Sequence, residues 1–104
     1  MSTTALEHQA LRLDPQKKLV WKGQQPVPLT GKEFSILEYF LRRPGEIITQ
    51  EQLLEHIWDI NANPLSSTVR VHINSLRRKI GDSLDSNSYI ETVAGMGYRL
   101  AGPN

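Results

Sequence analysis

Short runs of apolar residues, bounded by polar or turn-forming residues, occupy residues 10–29 of the 104-residue chain. Runs of this length, with a turn signal at Asp14-Pro15, predict three short β-strands. Pro26 and Pro28 lie in the last run, and proline has no backbone N–H to donate to a neighbouring strand. This strand is therefore expected at an edge of a sheet.

The hydrophobic period changes at Thr30, after which two helices are predicted in succession. Thr30 and Glu33 have the spacing of a capping box, and so do Thr49 and Gln52. After each box, apolar residues recur at the spacing of a helix that buries one face. A Pro-Gly pair at 44–45 ends the first helix. The apolar sets are Ile36, Leu37, Phe40 and Leu41 in the first helix, and Leu53, Leu54, Ile57 and Trp58 in the second.

The third predicted helix runs from about Ser66 or Ser67 to Ile80, where Gly81 ends it. With successive residues about 100° apart, one side of this helix is apolar and buried. That buried stripe consists of Val69, Ile73, Leu76 and Ile80. The remaining surface of the helix carries hydrogen-bonding and basic side chains, one exposed valine and no carboxylate. The residues on this surface are Ser67, Thr68, Arg70, Val71, Asn74, Ser75, Arg77, Arg78 and Lys79.

The charge distribution separates this helix from the rest of the chain. The formal net charge is only +1, but residues 66–81 carry four basic residues and no acidic residue. The segments on either side are net acidic, with three bases against six acids in residues 31–65 and one base against three acids in residues 82–104. A polyanionic partner is therefore expected to bind at the third helix.

The outer face of the third helix has the design of a helix that enters the DNA major groove. Asn74 can make a paired contact with adenine, and Val71 can contact a thymine methyl group. The arginines can reach phosphate or guanine. An ordinary solvated helix is the alternative, and an acid-free helix alone leaves both interpretations open. The preceding helix and a following hairpin favour nucleic-acid binding, because a helix-turn-helix with a wing presents such a helix.

The last predicted element is a hairpin that contains the sequence "TVAGMGYRL" at residues 92–100. Gly95 and Gly97 weaken a continuous strand and predict a tight turn between two short strands. Such a hairpin can either close a sheet or extend towards a partner.

Composition and missing motifs exclude several classes of protein. A chain of this length is expected to form one domain with its own core. It has no cysteine, no apolar run near the ~18 residues of a membrane helix, and no signal-peptide pattern, so a cytoplasmic protein outside the membrane is expected. The sequence shows no paired carboxylates, nucleophile–base set or metal-ligand spacing, so no catalytic residue, metal or cofactor is expected.

Three stretches of the chain resemble, in order, the DNA-binding effector domain of OmpR/PhoB-type response regulators: "PLTGKEFSILEYFLRRPGEIITQEQLLEHIW", "STVRVHINSLRRKIG" and "YIETVAGMGYRL". The resemblance implies an α+β fold, a winged helix-turn-helix with an N-terminal antiparallel sheet of four strands, a three-helix core and a C-terminal β-hairpin wing. The residue pattern predicts three of those four strands, and Ile47–Ile48 could be a further one that pairs with the hairpin. Residues 10–104 would form the domain, and residues 1–9 a flexible tail or linker remnant.

The resemblance also implies sequence-specific binding of double-stranded DNA by the effector domain of a two-component response regulator that controls transcription. The recognition helix, about residues 67–80, would lie in the major groove, and the wing, residues 90–100, near the minor groove. Such factors bind direct repeats as head-to-tail dimers and are usually governed by an N-terminal receiver domain. The family loop that can contact RNA polymerase corresponds to Asp59, Ile60, Asn61, Ala62, Asn63, Pro64 and Leu65.

Individual DNA contacts follow from the same resemblance. It places Trp58 at a phosphate, and Thr92, Gly95 and Tyr98 at wing positions that brace or contact the DNA backbone. In the third helix it places eight residues at the groove or its walls: Ser67, Thr68, Arg70, Val71, Asn74, Ser75, Arg77 and Arg78.

The chain departs from the family pattern at three of the expected contact positions. Asn74 and Ser75 stand where relatives often have arginine, and Ala94 stands where a basic or large wing residue is frequent. All three departures remove positive charge from the expected interface. The alternative function is therefore a winged helix used mainly for protein contacts, with weak DNA binding.

Overall fold

The computed structural model describes residues 5–58, 67–81 and 89–101, which form the predicted α+β winged helix. A four-stranded antiparallel sheet comes first, followed by three helices and a two-stranded hairpin. The strands of the sheet are β1 (Leu6–His8), β2 (Leu11–Asp14), β3 (Leu19–Lys22) and β4 (Gln25–Pro26). The helices are α1 (Gly31–Leu41), α2 (Gln50–Ile57) and α3 (Thr68–Lys79), and the hairpin, called the wing below, consists of β5 (Ile90–Val93) and β6 (Gly97–Leu100).

Strand β1 lies in the segment that the sequence assigns to a tail, so the predicted domain boundary at residue 10 comes too late. The strand pairs antiparallel with β2 from Leu6 to His8. His8 is 2% exposed, and its Nε2 donates to the carbonyl oxygen of Ala101 at 2.8 Å, which ties β1 to the end of the wing. The strand sequence "LEH" contains a single apolar residue, too few for the alternating pattern that predicts a strand.

Both predicted capping boxes are confirmed. Thr30 Oγ1 accepts from the backbone N–H of Glu33 at 3.2 Å, and Glu33 Oε1 accepts from the backbone N–H of Thr30 at 2.9 Å. The corresponding distances between Thr49 and Gln52 are 3.1 Å and 3.0 Å. Each box satisfies two N–H groups that a helix start would otherwise leave without a backbone partner. The boxes therefore fix where α1 and α2 begin.

A single hydrophobic core joins the sheet, the helices and the wing. Phe40 of α1, Ile73 of α3 and Leu100 of β6 are each at most 1% exposed and belong to it. Burial of one such side chain contributes roughly 1.5–3 kcal/mol, so α3 is held firmly against α1 and the wing. The stripe that the sequence predicts on α3 is confirmed, because the side chains at 0% exposure include Val69, Ile73, Leu76 and Ile80.

The wing is joined to the segment before α2 by a very close backbone contact. Ile48 and Tyr98 exchange two backbone hydrogen bonds, of 2.7 Å and 2.9 Å, so the suggested pairing of this segment with the hairpin is confirmed at Ile48. Gly97 has a φ of +147°, and a Cβ atom there would lie 2.2 Å from the carbonyl oxygen of Ile48. Only glycine allows this approach, which fixes the base of the wing beside α2.

Candidate nucleic-acid interface

The outer face of α3 is open to solvent along its whole length. Arg70, Val71, Asn74 and Arg78 are exposed, and Val71, at 59%, is one of the most exposed large apolar side chains. Ser67 at the start of the helix is exposed as well. A single exposed apolar side chain is common on protein surfaces, so Val71 alone does not mark a partner surface. Its position among exposed basic and amide side chains suits contact with a thymine methyl group.

Arg70 and Arg78 are the exposed cations of this face. Among the described residues, ion pairs join Arg42 to Glu38, Lys79 to Glu33 and Arg99 to Glu91. No ion pair in this part of the chain involves Arg70 or Arg78. Both guanidinium groups can therefore approach phosphate without first losing a carboxylate partner.

Ser75 and Lys79 point to α1 rather than outwards. The hydroxyl of Ser75 donates to Glu33 Oε2 at 2.5 Å, and Lys79 Nζ donates to Glu33 Oε1 at 2.8 Å. Glu33 is only 3% exposed. The sequence predicts that Ser75 faces the groove; in the structure this residue is half-buried, and its hydroxyl joins α3 to α1 through Glu33.

The contacts that Ser75 and Lys79 make with Glu33 lower the pKa of the Glu33 carboxyl group. Burial alone would raise the pKa of this carboxyl group, because a charge is costly away from water. The hydrogen bonds from Lys79, Ser75 and the backbone of Thr30, together with the charge of Lys79, outweigh burial and lower the pKa of Glu33 from 4.5 to about 2. The carboxylate therefore remains ionised and bound at physiological pH.

Arg77 connects α3 to the wing and to its own helix. Its Nε donates to the carbonyl oxygen of Ile90 at 3.0 Å, and its Nη2 donates to Thr92 Oγ1 at 2.9 Å. Its Nη1 donates to Asn74 Oδ1 at 3.3 Å, and the guanidinium lies 5.7 Å from the ring centre of Tyr98. The sequence predicts that Arg77 contacts DNA, and three of its five N–H donors bind neighbouring protein groups.

Trp58 lies at the end of α2 and packs against α3. Its ring meets the ring of His72 edge-on, with 5.1 Å between the ring centres. His72 Nδ1 in turn donates to the carbonyl oxygen of Thr68 at 2.8 Å. Lys32 Nζ lies 5.4 Å above the Trp58 ring. Trp58 and Thr68 are both half-buried, so they border the interface near the start of α3.

The tip of the wing is exposed but carries little free charge. Thr92, Ala94, Gly95 and Met96 are exposed, and Met96 is 58% exposed. Arg99 forms an ion pair with Glu91 on the neighbouring strand. Tyr98 is half-buried at the base of the wing. The wing therefore offers backbone, a hydroxyl group and a thioether to a partner.

The sequence predicts one further contact region outside α3 and the wing. The expected polymerase-contact loop, residues 59–65, lies outside the described residues. Within residues 5–58, 67–81 and 89–101, no three His, Cys, Asp or Glu side chains are grouped so that they could hold a metal ion. Over the same ranges, every helix is too short or too polar to cross a membrane.

Comparison with known proteins agrees with this geometry. Residues 23–100 match the family model described as "Transcriptional regulatory protein, C terminal". The transcriptional regulatory protein CutR of Streptomyces coelicolor is 41% identical over 95 residues, which cover 91% of this chain and 42% of CutR. The phosphate regulon transcriptional regulatory protein PhoB of Escherichia coli is 35% identical over 96 residues, which cover 92% of this chain and 42% of PhoB. The chain thus spans about two fifths of the length of these relatives.

Solved structures show the same arrangement. The DNA-binding domain of Klebsiella pneumoniae RstA, in complex with the RstA box, has a TM-score of 0.86 at 26% identity. The match covers 94% of this chain and 97% of that one. The DNA-binding domain of CpxR from Escherichia coli has a TM-score of 0.82 at 30% identity and covers 94% and 96% of the two chains. The similarity therefore includes the sheet, the helices and the wing together.

Proposed function

Because the chain belongs to the OmpR/PhoB-type family of C-terminal domains of transcriptional regulatory proteins, we propose that it binds double-stranded DNA with α3 in the major groove and the wing near the minor groove. The single observation that carries this proposal is the outer face of α3, which is exposed, basic and free of carboxylates. A helix fits the width of the major groove, and this face combines phosphate-binding and base-contacting side chains.

The proposed contacts divide by chemistry. Arg70 and Arg78 neutralise phosphates, which supplies affinity for any sequence. Val71 and Asn74 meet base edges, which supplies sequence preference. Trp58, Ser67 and Thr68 approach the backbone beside the start of α3, while Thr92 and Gly95 approach it from the wing.

Ser75, Arg77 and Tyr98 have a supporting role in this proposal. Ser75 ties α3 to Glu33, and Arg77 ties α3 to the wing. Tyr98 pairs with Ile48 at the base of the wing. Such contacts set the angle between the recognition helix and the wing, which must match the spacing of the two grooves. The chain thus replaces some direct DNA contacts with internal positioning.

The assembly around the domain is proposed on the strength of the family. The chain covers only 42% of CutR and of PhoB, which leaves room in the full-length protein for an N-terminal receiver domain. Two copies would bind direct repeats head to tail, and residues 59–65 would contact RNA polymerase. A protein that acts on the bacterial chromosome would work in the cytoplasm.

The proposal is tested by titrating labelled random and AT-rich duplexes with the protein at low and moderate salt. Binding to phosphates releases counterions, so affinity should fall steeply as salt rises. The double variant Arg70→Ala/Arg78→Ala should reduce the slope of log affinity against log salt by about two. The control Arg12→Ala/Lys17→Ala removes the same charge from β2 and from the turn that follows it, and should change the slope much less. Almost no binding at either salt concentration would instead favour a module for protein contacts.

A further inference from the structure

Arg77 is unusually well fixed for an arginine on the wing side of α3. Two of its donors bind the wing, at the carbonyl oxygen of Ile90 and the hydroxyl of Thr92. The ring of Tyr98 lies 5.7 Å from the guanidinium carbon. A planar guanidinium held at two of its nitrogens has little freedom left, so the direction of its third nitrogen is set by the wing.

That third nitrogen, Nη1, donates to Oδ1 of Asn74 at 3.3 Å. The guanidinium can only donate hydrogen bonds, so the Asn74 amide is oriented with its oxygen towards Arg77 and its amino group away from Arg77. Asn74 itself is exposed on the outer face of α3. The Nδ2 amino group, with its two hydrogens, is therefore the part of this side chain that is presented to a ligand.

We infer that Arg77 determines which base Asn74 recognises, because it commits the Asn74 amide to donating and thereby favours guanine. This inference rests on the proposed position of α3 in the major groove. Guanine presents two neighbouring acceptors there, N7 and O6, and one amino group can donate to both. Thymine presents one acceptor, and cytosine presents a donor.

Adenine is the partner that asparagine usually pairs with, but this arrangement opposes it. The paired contact needs Oδ1 to accept from adenine N6 while Nδ2 donates to N7. Here one of the two lone pairs of Oδ1 is already engaged by a positively charged guanidinium, which weakens this oxygen as an acceptor and restricts the direction from which the adenine amino group can approach. Arg77 is thus a positioning residue for base specificity, although its own donors are directed to protein groups.

Selection of bound sites from a random duplex pool tests the inference. The wild-type protein should select guanine over adenine at one position by about tenfold, within the range of a good paired base contact. Arg77→Met frees Oδ1, so the preference at that position should shift towards adenine. Asn74→Ala should leave that position without preference. Arg78→Met is the matched control, since it removes an exposed arginine from the same helix and should weaken binding while keeping the guanine preference.

Asn74→Asp provides a second test that leaves Arg77 in place, in case Arg77→Met fails to fold. Aspartate only accepts, so the preferred base at the position should change from guanine to cytosine, whose N4 amino group donates. Adenine selected by the wild-type protein overturns the inference, and so does a guanine preference that survives in Arg77→Met or Asn74→Asp. If the wild-type protein enriches no sequence at all, the proposed groove binding fails and the inference fails with it. Enrichment without the predicted base changes overturns the inference alone.

Discussion

Acidification should loosen the attachment of α3 to α1 through a single carboxyl group. Glu33 is 3% exposed, and its contacts lower its pKa from 4.5 to about 2. Each pKa unit corresponds to about 1.4 kcal/mol, so the ionised form of Glu33 stabilises the folded protein by about 3 kcal/mol. Because the folded pKa is the lower one, this stabilisation is complete above about pH 5 and is lost as the pH falls towards 2.

The variant Glu33→Gln isolates this contribution. Glutamine keeps the shape, and its single oxygen can still accept from the backbone of Thr30, while its amide nitrogen takes the place of Oε2 and can donate to the Ser75 hydroxyl. It cannot form an ion pair with Lys79. At pH 7 the free energy of unfolding should therefore be lower than in the wild-type protein by about 2–3 kcal/mol. Near pH 2 the two proteins should have similar stability, because protonation removes the same charge from the wild-type side chain.

The assay is urea unfolding followed by circular dichroism at several pH values from 7 to 2. Glu38→Gln is the matched control, because Glu38 lies on the same helix and forms an ion pair with Arg42 in which the side chains are 23% and 49% exposed. Such a partly solvated pair contributes about 0.2–1 kcal/mol. A gap between wild type and Glu33→Gln that stays constant from pH 7 to pH 2 would refute the reasoning. An equal loss of pH dependence in Glu38→Gln would also contradict it.

Three further predictions concern the wing, a helix start and the DNA-binding face. Gly97→Ala should lower the free energy of unfolding in urea by about 2 kcal/mol or more, because the new Cβ would lie 2.2 Å from the carbonyl oxygen of Ile48. Gly95→Ala is the control: its Cβ would have nothing within 4 Å, so it should lower the same free energy by only about 1 kcal/mol. Equal losses in the two variants would contradict the prediction. Thr49→Ala should lower the same quantity by about 1 kcal/mol, and an unchanged stability would show that the cap of α2 contributes nothing. Arg78→Ala should weaken binding to all duplexes and reduce the salt slope by about one, and an unchanged slope would make it a solvated residue.

The features that the sequence predicts well are those fixed by neighbouring residues. Thr30 and Thr49 cap their helices through residues three positions away. The buried stripe of α3 repeats within the helix, so its period shows which face is turned outwards. The pairing of Ile48 with the wing was suggested by the family resemblance and not by the residue pattern.

The features that the sequence does not reveal depend on contacts between distant parts of the chain. Ser75 looks like a groove-facing polar residue until Glu33, 42 positions away, is found to accept its hydroxyl hydrogen. Arg77 looks like a phosphate ligand, but its partners Ile90 and Thr92 lie 13 and 15 positions further along. Helical period places a side chain on a face, but it does not show which neighbour that side chain binds. The two residues therefore bind distant parts of the chain that the helical period could not reveal.

The central claim is that the outer face of α3 and the tip of the wing bind DNA together. The most direct measurement is a titration of the ¹⁵N-labelled protein with a duplex obtained by site selection, followed by two-dimensional NMR. The largest amide shift changes should fall between Ser67 and Arg78 and between Thr92 and Gly97, with little change in β1–β4. Changes centred on the sheet, with α3 unaffected, would contradict the account.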